Sequence, residues 1–341
     1  MVRTLFVLLF LCASANLSPA QAGDAAPAFA DYASMRAHLT TLFGAARYAE
    51  AAAMLSAHLD RFPDHLEANA FNLAIVDILS GDHDAAVAAL NRAADEGIWF
   101  GKYSIESEYF APVFDLPAFK TFLARNNAMR ESAAPGTMQY EVVFPENYDP
   151  SKRWPLFMAF HGGDGNIEEF SAAWHSPRLQ REFVLAYVQS SVASNMKGFS
   201  WYIPGEIRSD ILSAYHQIQA GCPIDPEQIY IGGFSAGATA TFCMAFDSDL
   251  PVSGYICLGP PYPPQILTPE NIKSSADKKM RGCFIVGEND RFFNDAASMA
   301  ATLDSLGQAI DMIILPGVDH GYPEDLPARI DEALGRILLK N

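Results

Sequence analysis

The chain predicts an α/β fold with a mostly parallel sheet, preceded by a smaller all-α domain. Three observations predict it. Past residue 137, short apolar runs rich in β-branched and aromatic residues alternate with helical patterns, which is how a sheet covered on both faces reads. From 28 to about 130, alanine and leucine recur at helical spacing and such runs are scarce. Between the two, Glu131 to Gly136 is small, polar and proline-bearing, as an interdomain linker is. The expected organisation is therefore a leader over 1–22, a helical domain over 28–130, a linker over 131–136 and the α/β domain over 137–341.

The leader reads as an export signal. Arg3 supplies the positive start, Leu5 to Cys12 is apolar, and small residues follow as far as Ala20-Gln21-Ala22. Cleavage is expected after Ala22, with Ala13-Ser14-Ala15 as a second candidate. The apolar run is too short to span a bilayer. Cys12 would suit a lipoprotein, but bulky Leu11 stands where such sites want a small residue. The expected location is the periplasm or the medium. A formal charge of -17 argues against nucleic acid or an anionic membrane surface as partner. With 50% hydrophobic and 18% charged residues, the chain can bury a sizeable core. Beyond the leader, Cys222, Cys243, Cys257 and Cys283 remain. Export permits disulfides, but three of the four fall in expected core elements, so buried free thiols are the preferred reading and the three possible pairings stay open.

In the helical half, Tyr48 to Leu55 aligns with His83 to Leu90 at an offset of 35, near the period of tetratricopeptide hairpins. Arg61-Phe62-Pro63-Asp64 resembles the junction between such repeats. A generic helical bundle is the alternative. Two repeats make little groove, so a packing role is expected, with a protein partner possible. The aromatic stretch from Ile98 to Phe119 is expected to fill the junction with the second domain.

Strands are expected at Gln139–Phe144, Trp154–Phe160, Phe183–Gln189, Gln228–Phe234, Val252–Leu258, Gly282–Val286 and Ile310–Leu315. Helices are expected over Glu206–Gln219, from Ala236, over Asn294–Leu306 and from Pro323. In such sheets ligands bind beyond the carboxyl ends of the strands. The chemically active groups of this half fall there: His161-Gly162-Gly163, Ser235, Gly287 to Asp290, and Gly317 to His320.

The central stretch is Gly233-Phe234-Ser235-Ala236-Gly237. A β-rich run precedes it and small helix-compatible residues follow, so Ser235 sits at the apex of a sharp strand-to-helix turn. The positions two before and two after come too close for side chains, and both are glycine. A serine needs a base that is itself oriented by an acid. Of eight histidines, His320 follows the last strand and precedes the last helix, and is the expected base. Asp290 is the expected acid, with Glu288 in reserve and Asp295 a turn further on. The oxyanion donors are expected to be the N–H groups of Ala236 and of Gly163, with Gly162 close behind. His161 is expected to anchor that loop. Trp201 and Tyr202, in a long loop past a strand end, and Tyr262, in Gly259-Pro260-Pro261-Tyr262, are candidate pocket walls. No metal motif, phosphate loop or dinucleotide fingerprint occurs, so no cofactor is implied.

On Tyr148 to Leu156, His161-Gly162-Gly163, Gly233 to Gly237, Gly287 to Asp290 and Gly317 to Gly321, residues 137 to 341 resemble the α/β-hydrolases. Among these they are nearest the carboxylesterase, feruloyl esterase and polyhydroxybutyrate-depolymerase-like serine esterases. The resemblance implies an enzyme that cleaves a small-molecule ester through an acyl-enzyme, with Ser235, His320 and Asp290 as the catalytic set, and the leader would make it secreted or periplasmic. Cleavage of amides, as in prolyl-peptidase-like relatives, is the alternative within this machinery. A non-catalytic protein that binds partners through its helices is the alternative outside it.

Overall fold

The computed structural model describes residues 28–133, 136–275, 278 and 280–338. The expected export leader, with Cys12, lies outside them. The chain divides into two compact units. Among the described residues, the first holds residues 28–133 together with Ser194–Met196, and the second holds the rest.

The first unit is helical: α1 (Tyr32–Gly44), α2 (Tyr48–His58), α3 (Leu66–Ser80), α4 (His83–Asp95), the short α5 (Lys102–Ile105) and α6 (Pro117–Ser132). Helices α1 and α3 begin 34 residues apart, α2 and α4 35 apart. Polar caps set the starts. Asp31 accepts from the N–H of Ser34, and Asp82 from that of Ala85. Gly81, at φ +90°, closes α3 in the left-handed region that glycine occupies without strain. Phe100, Phe110 and Phe119 join Phe122 in this unit's own core, with neighbouring rings 5.9 to 6.3 Å apart. The fully buried Asn126 accepts from the Phe100 N–H and donates to its carbonyl, satisfying a backbone that no helix pairs. Glu131 and Ser132, expected in the linker, complete α6 instead.

The second unit runs β1 (Gln139–Val143), β2 (Trp154–Phe160), α7 (Ile167–Ala173), α8 (Pro177–Glu182), β3 (Val184–Gln189), α9 (Pro204–Gly221), β4 (Ile224–Phe234), α10 (Ala236–Phe246), β5 (Val252–Leu258), α11 (Pro269–Ser274), β6 (Arg281–Gly287), α12 (Phe293–Ser305), β7 (Ala309–Leu315) and α13 (Leu326–Ile337). The sheet order is β1-β3-β2-β4-β5-β6-β7. Only β1 runs antiparallel, at one edge. The two-residue period of a strand divides the core between the faces. Leu156, Met158 and Phe160 pack with Ile207 and Ile211 of α9 and Phe242 of α10. Phe157 and Ala159 face the other way, toward Leu179 of α8 and Ile330 and Leu334 of α13. With both faces covered, the residues free to meet a ligand are those past the strand ends. Cys243, Cys257 and Cys283 are buried free thiols. Among the described residues, no helix is long and apolar enough to cross a membrane.

Candidate active site

The serine is fixed by backbone geometry. Ser235 links β4 to α10 at φ +53°, a region that L-residues avoid at a cost of about 1–3 kcal/mol. Its N–H donates to the Leu258 carbonyl at the end of β5, 2.9 Å away. The flanking glycines are required by space. A Cβ on Gly237 would overlap the Phe160 and His161 carbonyls, and one on Gly233 would lie 2.5 Å from the Gly237 backbone.

Three buried side chains from three strand ends then meet. His320, after β7, has its Nε2 3.0 Å from Ser235 Oγ. Its Nδ1 is 2.8 Å from Asp290 Oδ2, after β6. A carboxylate only accepts, so Nδ1 carries the proton and the lone pair of Nε2 faces the serine hydroxyl, which donates to it. The other carboxylate oxygen, Oδ1, accepts from the Phe292 N–H at 2.8 Å, fixing the carboxylate's rotation. The imidazole is held between rings. Phe234 stacks on it at 4.8 Å, and Phe292 meets it edge-on at 5.1 Å. Beneath the pair, Gly259 adopts φ +54°. A Cβ there would stand 2.8 Å from Asp290 Oδ2 and 2.9 Å from His320 Nδ1. Glu288, the reserve acid, is exposed and accepts from the Gly317 N–H instead.

The loop after β2 lies against the serine turn. A Cβ on Gly162 would come within 2.8 Å of the Phe234 ring. Among the described residues, the N–H groups of Gly163 and Ala236 have no internal acceptor. His161 is fully buried. Its Nδ1 lies 2.6 Å from the Gly162 carbonyl, and its Nε2 receives the Ser190 N–H at 3.2 Å. One neutral tautomer, protonated at Nδ1, satisfies both bonds. Burial pushes its pKa down to about 4, with the bond to Gly162 opposing that shift.

The candidate pocket residues part ways. Trp201 is buried, with its indole packed on Phe160 and His161 and its N–H donated to the His161 carbonyl at 3.0 Å. That position makes it part of the scaffold and not an open wall. Tyr202 is half-buried, and Tyr262 is 44% exposed on the proline-dense loop after β5. Two residues near the site escape sequence reasoning. Gly259 is read there only as part of a proline-dense loop. Tyr322, two residues past His320, lays its ring 4.5 Å from that of Phe234 and stays 42% exposed. An aromatic residue so close to the expected base is the signal that could have found it. No group of three His, Cys, Asp or Glu side chains among the described residues is arranged to hold a metal.

A sheet with one antiparallel edge strand and six parallel ones, turning into a helix through a strained serine, is the architecture of the α/β-hydrolases. The second unit has this fold. Residues 208–333 match the phospholipase/carboxylesterase family. A curated relative, poly(3-hydroxyalkanoate) depolymerase C of Paucimonas lemoignei, is 27% identical over 145 residues, covering 40% of this chain and 34% of that protein. The chain thus spans about a third of that relative's length. Among solved structures, an uncharacterized protein from Bacillus cereus ATCC 10987 covers 90% of this chain and 98% of its own, with a TM-score of 0.52 at 22% identity. Esterase 2 of Thermogutta terrifontis covers 60% of this chain and 92% of its own, with a TM-score of 0.46 at 16% identity.

Proposed function

We propose that the protein is a serine carboxylic-ester hydrolase working through an acyl-enzyme. The observation that carries this reading is the unbroken line from Ser235 Oγ to His320 Nε2 and from His320 Nδ1 to Asp290 Oδ2, at 3.0 and 2.8 Å. His320 takes the hydroxyl proton as Ser235 Oγ attacks the ester carbonyl carbon. Asp290 holds the imidazolium that forms, and the N–H groups of Ala236 and Gly163 receive the oxyanion. Collapse of the tetrahedral intermediate breaks the ester C–O bond, and His320 returns the proton to the leaving alcohol. Water, deprotonated by the same imidazole, then attacks the acyl-serine; the bond from the acyl carbon to Ser235 Oγ breaks, His320 returns the proton to Oγ, and the acid leaves.

The curated relative acts, by its name, on a poly(3-hydroxyalkanoate), so esters of 3-hydroxy acids belong in the substrate panel beside plain acyl esters. The leader over 1–22 places the enzyme, in this reading, in the periplasm or the medium, and cell fractionation checks that. The test of the chemistry is hydrolysis of 4-nitrophenyl acetate, butyrate and 3-hydroxybutyrate, run beside an aminoacyl nitroanilide for the amide alternative. Ser235→Ala is expected to lower kcat by about 10⁴-fold or more, and to lose labelling by a fluorophosphonate. A Ser235→Ala enzyme with full turnover would sink the reading.

A further inference from the structure

The segment between β3 and α9 does more than connect them. Ser190 donates its N–H to His161 Nε2. The Phe199 N–H donates to the Gly165 carbonyl at 2.9 Å. Trp201 donates its indole N–H to the His161 carbonyl at 3.0 Å, with its ring 5.2 Å from the imidazole. The segment is itself pinned. Asp210 of α9 accepts the Ser191 N–H at 2.8 Å, and Ser190 Oγ accepts that of Val192 at 3.0 Å.

These bonds converge on one short stretch. The Gly162 carbonyl takes two donors, His161 Nδ1–H and the Gly165 N–H. With the carbonyls of residues 161, 162 and 165 all engaged, the peptide planes around Gly162 and Gly163 have little freedom to rotate. A glycine pair left alone would sample many orientations, because glycine spans both signs of φ. An oxyanion donor works only when it is aimed before the charge develops.

From this convergence we infer that Trp201 and His161 are positioning residues for the oxyanion loop: together they clasp it from opposite ends of the His161 residue, and neither touches the reacting atoms. The inference rests on the reading of Ser235 and Gly163 given above. It also replaces the pocket-wall role for Trp201, because the indole nitrogen is spent on a backbone carbonyl and the ring is buried.

A positioning role predicts a specific kinetic signature. Trp201→Phe keeps most of the ring and loses the N–H. With 4-nitrophenyl butyrate it is expected to lower kcat about 10- to 100-fold, the scale of a misplaced oxyanion donor, with KM changed less than about threefold. The inhibition constant of a trifluoromethyl ketone, whose adduct carries the same oxyanion, is expected to rise by the same factor as kcat/KM falls. His161→Asn offers its side-chain N–H where Nδ1 stands and is expected to retain more activity than His161→Ala. The His161 pair also serves as the second arm if Trp201→Phe does not fold. The inference is overturned if Trp201→Phe turns over at the wild-type rate. It is equally overturned if kcat/KM falls through KM alone with ketone affinity unchanged, or if His161→Asn and His161→Ala are equal. Ser235→Ala separates the two readings. If it is active, the catalytic reading fails, whereas if it is dead while Trp201→Phe is fully active, only the clasp fails.

Discussion

Two loops face each other across the candidate site, and they are held by opposite means. The serine turn, Gly233 to Gly237, is held mainly by its backbone, with Thr241 Oγ1 donating to the Gly237 carbonyl and Ser235 Oγ meeting His320. Its shape follows from a positive φ at Ser235, two absent Cβ atoms and an N–H given to β5. The loop from His161 to Gly165 depends on an imidazole, an indole and a neighbouring segment. The first is stiff because nothing else fits. The second is stiff because it is tied. A loop fixed by exclusion shows in five adjacent residues, and one fixed by ties to residues 29 and 40 positions away does not.

Substitutions can break or sharpen that contrast, and the largest effect is expected at the serine turn. Gly237→Ala places a Cβ against two backbone carbonyls that cannot retreat, and so displaces both Ser235 and the Ala236 N–H. Activity on 4-nitrophenyl butyrate is expected to fall by at least about 10³-fold, with a lowered melting temperature. A Gly237→Ala enzyme of near-wild-type rate would mean the turn is not held by exclusion. The tied loop should instead show a pH signature. His161 is neutral when folded, with its pKa depressed from 6.5 to about 4, and in the unfolded chain it takes up a proton near 6.5. Stability from this group is therefore full above pH 6.5, declines as pH falls, and levels off near 4. The total is about 3 kcal/mol. Urea unfolding of wild type against His161→Asn, between pH 7 and 4, should show that difference closing as the pH drops.

Gly259→Ala tests the floor beneath Asp290 and His320, which neither loop supplies. The added Cβ would press on both partners of the Asp290–His320 bond, at a φ of +54° that alanine tolerates poorly. A loss of about 10- to 50-fold in kcat is expected, with KM held, by steady-state kinetics. Tyr322→Ala should matter least, because its ring rests on Phe234 without holding any catalytic bond. About a threefold rise in KM for aryl esters is expected, with kcat unchanged and short alkyl esters unaffected.

Much of the second unit is legible in the sequence, for a physical reason. Strands buried on both faces must be apolar throughout, so the central runs β2 to β6 stand out, and their parallel order follows from the helices between them. That Ser235, Asp290 and His320 share one sheet edge is legible because each follows a strand. The finer site is not. Nothing local to Trp201 announces that its N–H reaches a carbonyl at position 161, and so its aromatic bulk reads as a pocket wall. Nor does Gly259, followed by two prolines, announce that a carboxylate and an imidazole rest on its missing side chain. In the first unit, the same bias toward loose loops assigns Glu131 and Ser132 to a linker, although the helix of Pro117 runs through them. That Phe100, Phe110 and Phe119 pack with Phe122 inside their own unit is not legible either, because sequence shows their bulk and not which rings they face.

The turns after β6 and β7 are sewn to one another. The Glu288 N–H reaches the Leu315 carbonyl, the Asn289 N–H reaches that of Val318, and the Glu288 carboxylate takes the Gly317 N–H. The Asp290 carboxylate and the His320 imidazole thus ride on a single stitched platform, while the Ser235 hydroxyl rides on a different strand. Any motion at this end of the protein is therefore expected to part the hydroxyl from the imidazole before it parts the imidazole from the carboxylate.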